Sequence, residues 1–312
     1  MVMIDGWCTA TQIQDPKGVI AKLVTQPSNT KSPKAILNEM GINPRKPLGQ
    51  HFLVASGVIN IITKAAQIQL TDTILEVGPG LGILTKELVK QSPNVIAIEL
   101  DEHLANALSD RIQSKGLKVI TEDARNVDIK EVTGGLPYKL ISNLPYYAAG
   151  PILRHFLESD HPPETAVIMV QREVAKQMVA KPGHMSLVSI GTQIYGDTRI
   201  VSFIPSSAFY PKPKVTSAIV KIDTYENPLV EHANRKSFFS VVKAGFSAPR
   251  KQLRNSLAQG LKVPTAIAVY QLTSAGINPE ARPATLTLED WRALHLIIHE
   301  GATESESPIS ND

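Results

Sequence analysis

Residues 73–85 read TILEVGPGLGILT, and this stretch decides the fold. Residues 73–77 are an apolar run of strand length, Gly78, Gly80 and Gly82 follow at alternate positions, and residues 82–90 carry a helical pattern. Glycines between a strand and a helix let the backbone approach a ligand closely, and a helix N-terminus favours negative charge. The spacing is GxGxG rather than the GxGxxG of a dinucleotide fingerprint. Taken alone, the loop reads equally well as a tight turn.

The same grammar continues outward. Strands are expected at residues 94–100, 118–123, 138–144 and 164–171, with helices at 102–115, 151–158 and 172–180. Before the glycine loop, residues 54–69 have apolar side chains at helical spacing, and Pro33 opens a short helix. This alternation implies βαβ units and a mostly parallel, doubly wound α/β sheet with helices on both faces. The strands are rich in Val and Ile rather than alternating, as strands buried on both faces are. Runs at 198–204 and 216–225 flank a proline-rich link and are expected to pair antiparallel, closing the sheet. Beyond Asn227 only helical segments follow, at 232–244, 250–261, 265–274 and 288–299. The expected organisation is a flexible extension over 1–33, a catalytic α/β domain over 34–227, a small α-helical domain over 228–300 and a disordered acidic tail over 301–312.

Composition excludes several classes. The 312 residues are 43% hydrophobic and 20% charged, which is neither disordered nor fibrous. A single cysteine, Cys8, excludes an intramolecular disulfide framework and a cysteine-built metal cluster. It points to a reducing compartment, the cytoplasm. The eight histidines are scattered without ligand spacing, so no metal is expected. No stretch approaches the ~18 apolar residues of a membrane span, and the N-terminus lacks the pattern of a signal peptide. The formal net charge is +3, but residues 205–262 hold ten Lys and Arg against three Asp and Glu, while residues 289–312 hold one Arg against six acids. A segregated basic segment is the footprint of a polyanion binder, or else simply a solvated face.

The acids at the strand ends sharpen the glycine loop. Glu99 closes the second strand, where a carboxylate can accept from both hydroxyls of a ribose. That still permits a nicotinamide cofactor. Asp101 is placed to cap the next helix. Asp123 closes the third strand, and there it either accepts from an adenine amine or caps a turn. Glycines for a methionine end, one acid for ribose and one for adenine describe S-adenosylmethionine.

The fourth strand ends in Asn143, Leu144, Pro145 and Tyr146. An adenine N6 amine is a poor nucleophile, because its lone pair is delocalised into the ring. Two acceptors, the Asn143 side-chain oxygen and the Leu144 carbonyl, can hold it so that the nitrogen rehybridises; the following proline keeps Leu144 extended. Tyr146 is placed to stack on a base taken out of its own stack. Asn is neutral, so it orients the amine rather than removing its proton. The alternative is a turn with an Asx cap.

Together these blocks resemble the ribosomal RNA adenine N6,N6-dimethyltransferases of the small subunit, over residues 46–257. The run 46–53, KPLGQHFL, is similar to the family's N-terminal cofactor motif; residues 76–85, Glu99, Asp123 and 143–146 match its later motifs in order. The resemblance implies that His51 and Leu53 touch the methionine end and that Gly78 and Gly80 line the loop. It further implies that Glu99 and Asp123 take the ribose and adenine, beside Asn143. The run 209–217, FYPKPKVTS, is similar to the motif whose phenylalanine, here Phe209, stacks on the target base opposite Tyr146. Lys212 and Lys214 would contact phosphate. His51 departs from the commoner Asn. In 246–255, FSAPRKQLRN, Pro249 stands where Arg is usual and fits the first turn of a helix. Arg250 and Arg254 would then share a face, with Lys251 beside them, holding the rRNA backbone.

The resemblance implies dimethylation of two adjacent adenines in a hairpin near the 3′ end of 16S rRNA during small-subunit biogenesis. S-adenosyl-L-methionine would be the methyl donor and the small subunit or its precursor the partner, with no membrane and a monomeric enzyme. Two alternatives stay open. One is a large-subunit rRNA adenine methyltransferase of the macrolide-resistance type, against which the FxPxPKVxS block and the longer helical C-terminus stand. The other is a non-catalytic ribosome-assembly factor, against which the intact glycines, acids and Asn143 stand.

Overall fold

The computed structural model describes Ala35, Leu37 and residues 51–304. The first short strand, β1 (Phe52–Leu53), leads into α1 (Ser56–Ala66). Then follow β2 (Thr73–Val77), α2 (Ile83–Gln91), β3 (Asn94–Glu99), α3 (Glu102–Arg111), β4 (Leu117–Thr121) and α4 (Ile129–Thr133). Next come β5 (Tyr138–Asn143), α5 (Ala149–Glu158), β6 (Thr165–Gln171), α6 (Arg172–Met178) and α7 (Leu187–Gln193). The strands β7 (Gly196–Ile204), β8 (Phe209–Tyr210) and β9 (Ser217–Thr224) complete the sheet region. Helices α8 (Arg235–Gly245), α9 (Leu253–Leu261), α10 (Thr265–Ser274) and α11 (Leu288–Glu304) follow.

Seven strands form one sheet in the order β4-β3-β2-β5-β6-β9-β7. The first five are parallel, and β9 lies antiparallel between β6 and β7. The expected antiparallel closure is thus present. Strand order reverses between β2 and β5, and ligands bind outside the carboxyl ends of such a sheet at that switch. Val77 N–H donates to Ser142 Oγ at 2.8 Å across this point, tying the two strand ends together.

Burial explains the apolar strands. Ile74, Val95 and Ile141 pack on one face with Val58 and Ile62 of α1. Their neighbours Leu75 and Leu140 face the other side, as the two-residue period of a strand requires. That second cluster continues through Phe156 to Phe238, Leu253 and Trp291 of the C-terminal helices. One apolar core therefore links the sheet to the helical segment.

Several expectations change. Helix α9 begins at Leu253, not near residue 250, because Gln252 is its N-cap and Leu253 N–H donates to Ala281 O at 2.7 Å. Pro249 and Arg250 consequently lie in a turn, and Arg250 does not share a helical face with Arg254. Strand β4 stops at Thr121, so Asp123 sits in the following turn. Helix α11 runs to Glu304, past the expected start of a tail at 301. Two short helices, α4 and α7, come in addition, opened by Asp128 and by a Ser186–Ser189 capping box. The extension over 1–33, the cofactor-motif residues 46–50 and the tail from 305 lie outside the described residues. Of the short helix after Pro33, Ala35 and Leu37 are described and helical; Leu37 packs on Phe52, Leu81 and Leu104.

Candidate active site

A cavity of about 300 Å³ opens at the carboxyl ends of β2, β3 and β5. It collects His51 and Leu53, the glycines Gly78 and Gly80, Glu99, Asp123, and Asn143, Leu144, Pro145 and Tyr146. Sequence-distant blocks thus meet in one wall.

The glycine loop continues the β2 edge: Gly78 N–H donates to Ile98 O at 2.9 Å. Gly80 adopts φ +54°, and a Cβ there would come 2.9 Å from the Phe52 ring. Its N–H donates to Glu99 Oε2 at 3.2 Å, and Asp101 N–H donates to Glu99 Oε1 at 3.1 Å. Glu99 is buried, and burial raises its carboxyl pKa against the pull of these backbone donors. Asp101 caps α3 as expected, accepting from His103 N–H at 3.1 Å.

Glu76 was missed by motif reading. It is 1% exposed in the cavity wall, and its Oε2 has no hydrogen-bond partner among the described residues. Burial pushes its carboxyl up to about 8, opposed by Thr85 and reinforced by the nearby charge of Glu99. The available signal was an acid inside an otherwise apolar strand.

Asp123 both caps a turn and faces the cavity. Its Oδ1 accepts from Arg125 N–H at 3.0 Å and Arg125 Nε at 2.9 Å. Oδ2 accepts from Arg125 Nε at 3.1 Å and Nη2 at 2.5 Å. The Arg125 guanidinium holds the Asp123 carboxyl below its ordinary pKa. Arg125 lines the same cavity, and no motif announced it.

At the end of β5, Asn143 Nδ2 donates to His51 O at 3.4 Å, while Asn143 Oδ1 is buried without a partner among the described residues. His51 Nδ1 lies 2.7 Å from Pro211 O, so that ring nitrogen carries the proton and donates. The Tyr146 ring stands 5.9 Å from the His51 ring. Its hydroxyl is hydrogen-bonded to Ser217 Oγ, and burial raises the phenol pKa.

Phe209 is not brought to the cavity. Pairing of β8 with β1 sets Phe209 opposite Leu53, and its ring is 4% exposed in the apolar cluster with Leu53, Ile204 and Ile219. Apolar burial across this two-strand pair holds Phe209 in the cluster and off the cavity's lining. Lys212 and Lys214 are exposed on the following loop. Arg250 and Lys251 are exposed in the turn before α9, and Arg254 is 3.6 Å from Glu280. Among the described residues no group of three His, Cys, Asp or Glu is placed to hold a metal, and no helix is long and apolar enough to cross a membrane.

The family model for ribosomal RNA adenine dimethylase matches residues 41–300. The chain is 43% identical over 276 residues to ribosomal RNA small subunit methyltransferase A of Dehalococcoides mccartyi, covering 88% of this chain and 95% of that one. The protein of the same name from Desulfitobacterium hafniense is 38% identical over 256 residues, covering 81% and 92%. The crystal structure of the 23S rRNA methyltransferase ErmE superposes with a TM-score of 0.64 at 26% identity, covering 80% of this chain and 99% of that one. A dimethyladenosine transferase from Plasmodium falciparum shares the fold with a TM-score of 0.71 at 24% identity, covering 81% and 98%. With its cavity at the sheet's switch point and its family match across most of its length, the chain belongs to the ribosomal RNA adenine dimethylase family.

Proposed function

We propose that the protein is an S-adenosylmethionine-dependent rRNA adenine N6,N6-dimethyltransferase. Its substrates are two adjacent adenines in a hairpin near the 3′ end of 16S rRNA, within the small subunit or its precursor. The observation that carries this reading is Asn143 Oδ1, a buried acceptor without a partner among the described residues, in the wall of a cavity whose other side is the glycine loop. An unpaired buried acceptor is costly unless a ligand donor satisfies it.

The residues fit the cofactor. Glu99 is held at the cavity wall by backbone donors, Gly80 N–H on Oε2 and Asp101 N–H on Oε1, and a carboxylate with about four acceptor sites keeps capacity for a ribose hydroxyl. Gly80, at a positive φ, lets the loop pack directly on the Phe52 ring, where a Cβ would come within 2.9 Å. Gly78, Gly80, His51 and Leu53 would hold the methionine end, Glu99 the ribose and Asp123 the adenine. When bound, the cofactor supplies an electrophilic methyl group on a sulfonium.

The chain's own work is positioning. Asn143 Oδ1 and the Leu144 carbonyl accept from the target amine and turn its lone pair toward the methyl. Tyr146, its hydroxyl tethered to Ser217, holds the extruded base by its face. Neither acceptor takes the proton, which leaves from the methylated ammonium to solvent. Two adenines and two methyls each make four transfers, so the pocket readmits the monomethylated amine. Residues 228–300, with Lys212, Lys214, Arg250, Lys251 and Arg254, hold the rRNA backbone.

The relatives named for the small subunit are more similar in sequence than the 23S enzyme, which supports the small-subunit reading. Labelled methyl transfer to undermethylated small and large subunits, with primer extension on both rRNAs, tests it. Modification confined to 23S rRNA would replace this reading by the large-subunit one. No transfer to either would leave a non-catalytic assembly factor.

A further inference from the structure

Arg172 opens α6, and its guanidinium carbon stands 5.3 Å from the centroid of the Phe203 ring. Both side chains face solvent: Arg172 is 48% exposed and Phe203 42%. Phe203 lies on β7, the edge strand of the sheet, so both members of the pair are accessible to a partner. The acid nearest Arg172, Glu173, lies 3.9 Å away, too far to neutralise it strongly.

This pair lies at the ends of β6 and β7, beside the start of β9, where the Tyr146 hydroxyl is anchored. Ser217 pairs across the sheet with Gln171 of β6 on one side and with Ile204 of β7 on the other. Arg172 N–H donates to Thr216 O at 2.9 Å, and Ser217 Oγ is hydrogen-bonded to the Tyr146 hydroxyl. Arg172 and Phe203 therefore lie at the same end of this three-strand junction as the Tyr146 tether, with Phe203, paired to Ala218, on the other face of the sheet from Ser217. The loop that reaches this junction carries the exposed Lys212, Lys214 and Val215.

We infer that the Arg172–Phe203 pair is a stacking platform for the unpaired RNA base next to the target nucleotide. Phe203 supports the guanidinium from one side, and the planar outer face of the guanidinium receives the base. Arginine planes and aromatic rings are the surfaces on which single-stranded RNA bases stack. Lys212 and Lys214 supply the charge that draws the backbone there. Holding the neighbouring base would keep the strand splayed while the target is turned into the cavity. The inference rests on the proposed rRNA adenine methyl transfer and adds a residue pair to it.

The test uses the full-length protein, undermethylated small subunits, and three variants: Arg172→Ala, Arg172→Lys and Phe203→Ala. The expected result is a KM for subunits raised roughly 10-fold in all three, matching base–aromatic stacking energies, with S-adenosylhomocysteine affinity and melting temperature unchanged. Arg172→Lys is decisive, since lysine keeps the charge without the plane. Rescue of KM by Lys would reduce Arg172 to a phosphate contact and overturn the platform, as would an unchanged KM in Phe203→Ala. Absence of transfer by the wild-type protein would instead overturn the proposed function, a distinct failure read in the same assay.

Discussion

The Asn143 side-chain amide donates to the His51 carbonyl at 3.4 Å, which orients the amide and leaves Oδ1 as a buried acceptor with no partner among the described residues. The segment carrying the cofactor motif thus orients the residue assigned to the target amine. Asn143→Ala is expected to lower single-turnover methyl transfer by about 10²–10³, the usual loss when one preorganised polar group is removed. S-adenosylhomocysteine affinity, measured by calorimetry, should change little. A large loss of cofactor affinity would count against the role given to Asn143.

What could be read from the sequence was what is local. The glycine loop, Glu99, Asp101 and the run 143–146 declare themselves because strand period, turn chemistry and caps are set by near neighbours. The packing of Phe209 is not legible locally, because it depends on pairing two-residue strands that lie far apart in the chain, Leu53 against Phe209. The start of α9 was misjudged for a similar reason: the bond from Leu253 N–H to Ala281 O comes from a later loop. Arg125 and the Arg172–Phe203 pair have no motif at all, since they arise from side chains meeting in space.

Glu76 gives a pH prediction with a definite sign. Its carboxyl is raised by burial to about 8, above the ordinary value of 4.5, so the folded state holds a proton that the unfolded chain has lost. Stability from this group is full below the unfolded value and falls as pH rises from about 4.5 toward 8. Glu76→Gln, neutral at every pH, should therefore melt at a higher temperature than wild type at pH 8. The gap should close near pH 5. A gap independent of pH would contradict a protonated Glu76.

Asp123 is a crowded acceptor. Three N–H groups of Arg125, with Nε shared between both oxygens, make four contacts on a carboxylate that has about four sites to offer. An adenine amine competes with that guanidinium for the same carboxylate. Arg125→Ala is accordingly expected to tighten S-adenosylhomocysteine binding by roughly threefold, the worth of about one net hydrogen bond. Asp123→Asn should weaken it. Weaker binding in Arg125→Ala would mean that the arginine supports the ligand rather than competing with it.

The basic turn before α9 predicts how rRNA binding responds to salt. Arg250 and Lys251 are exposed there, whereas Arg254 has Glu280 at 3.6 Å. Each phosphate contact contributes roughly 0.7–0.9 to the slope of log affinity against log salt. Removing Arg250 and Lys251 together should flatten that slope by about 1.5, measured by filter binding of small subunits over a salt series. Arg254→Ala should flatten it less, because part of its charge is already answered by Glu280. Glu280→Gln then has the opposite expectation: it frees Arg254 and should strengthen binding at low salt. An unchanged slope in the double variant would remove this turn from the rRNA surface and leave Lys212 and Lys214 to carry it.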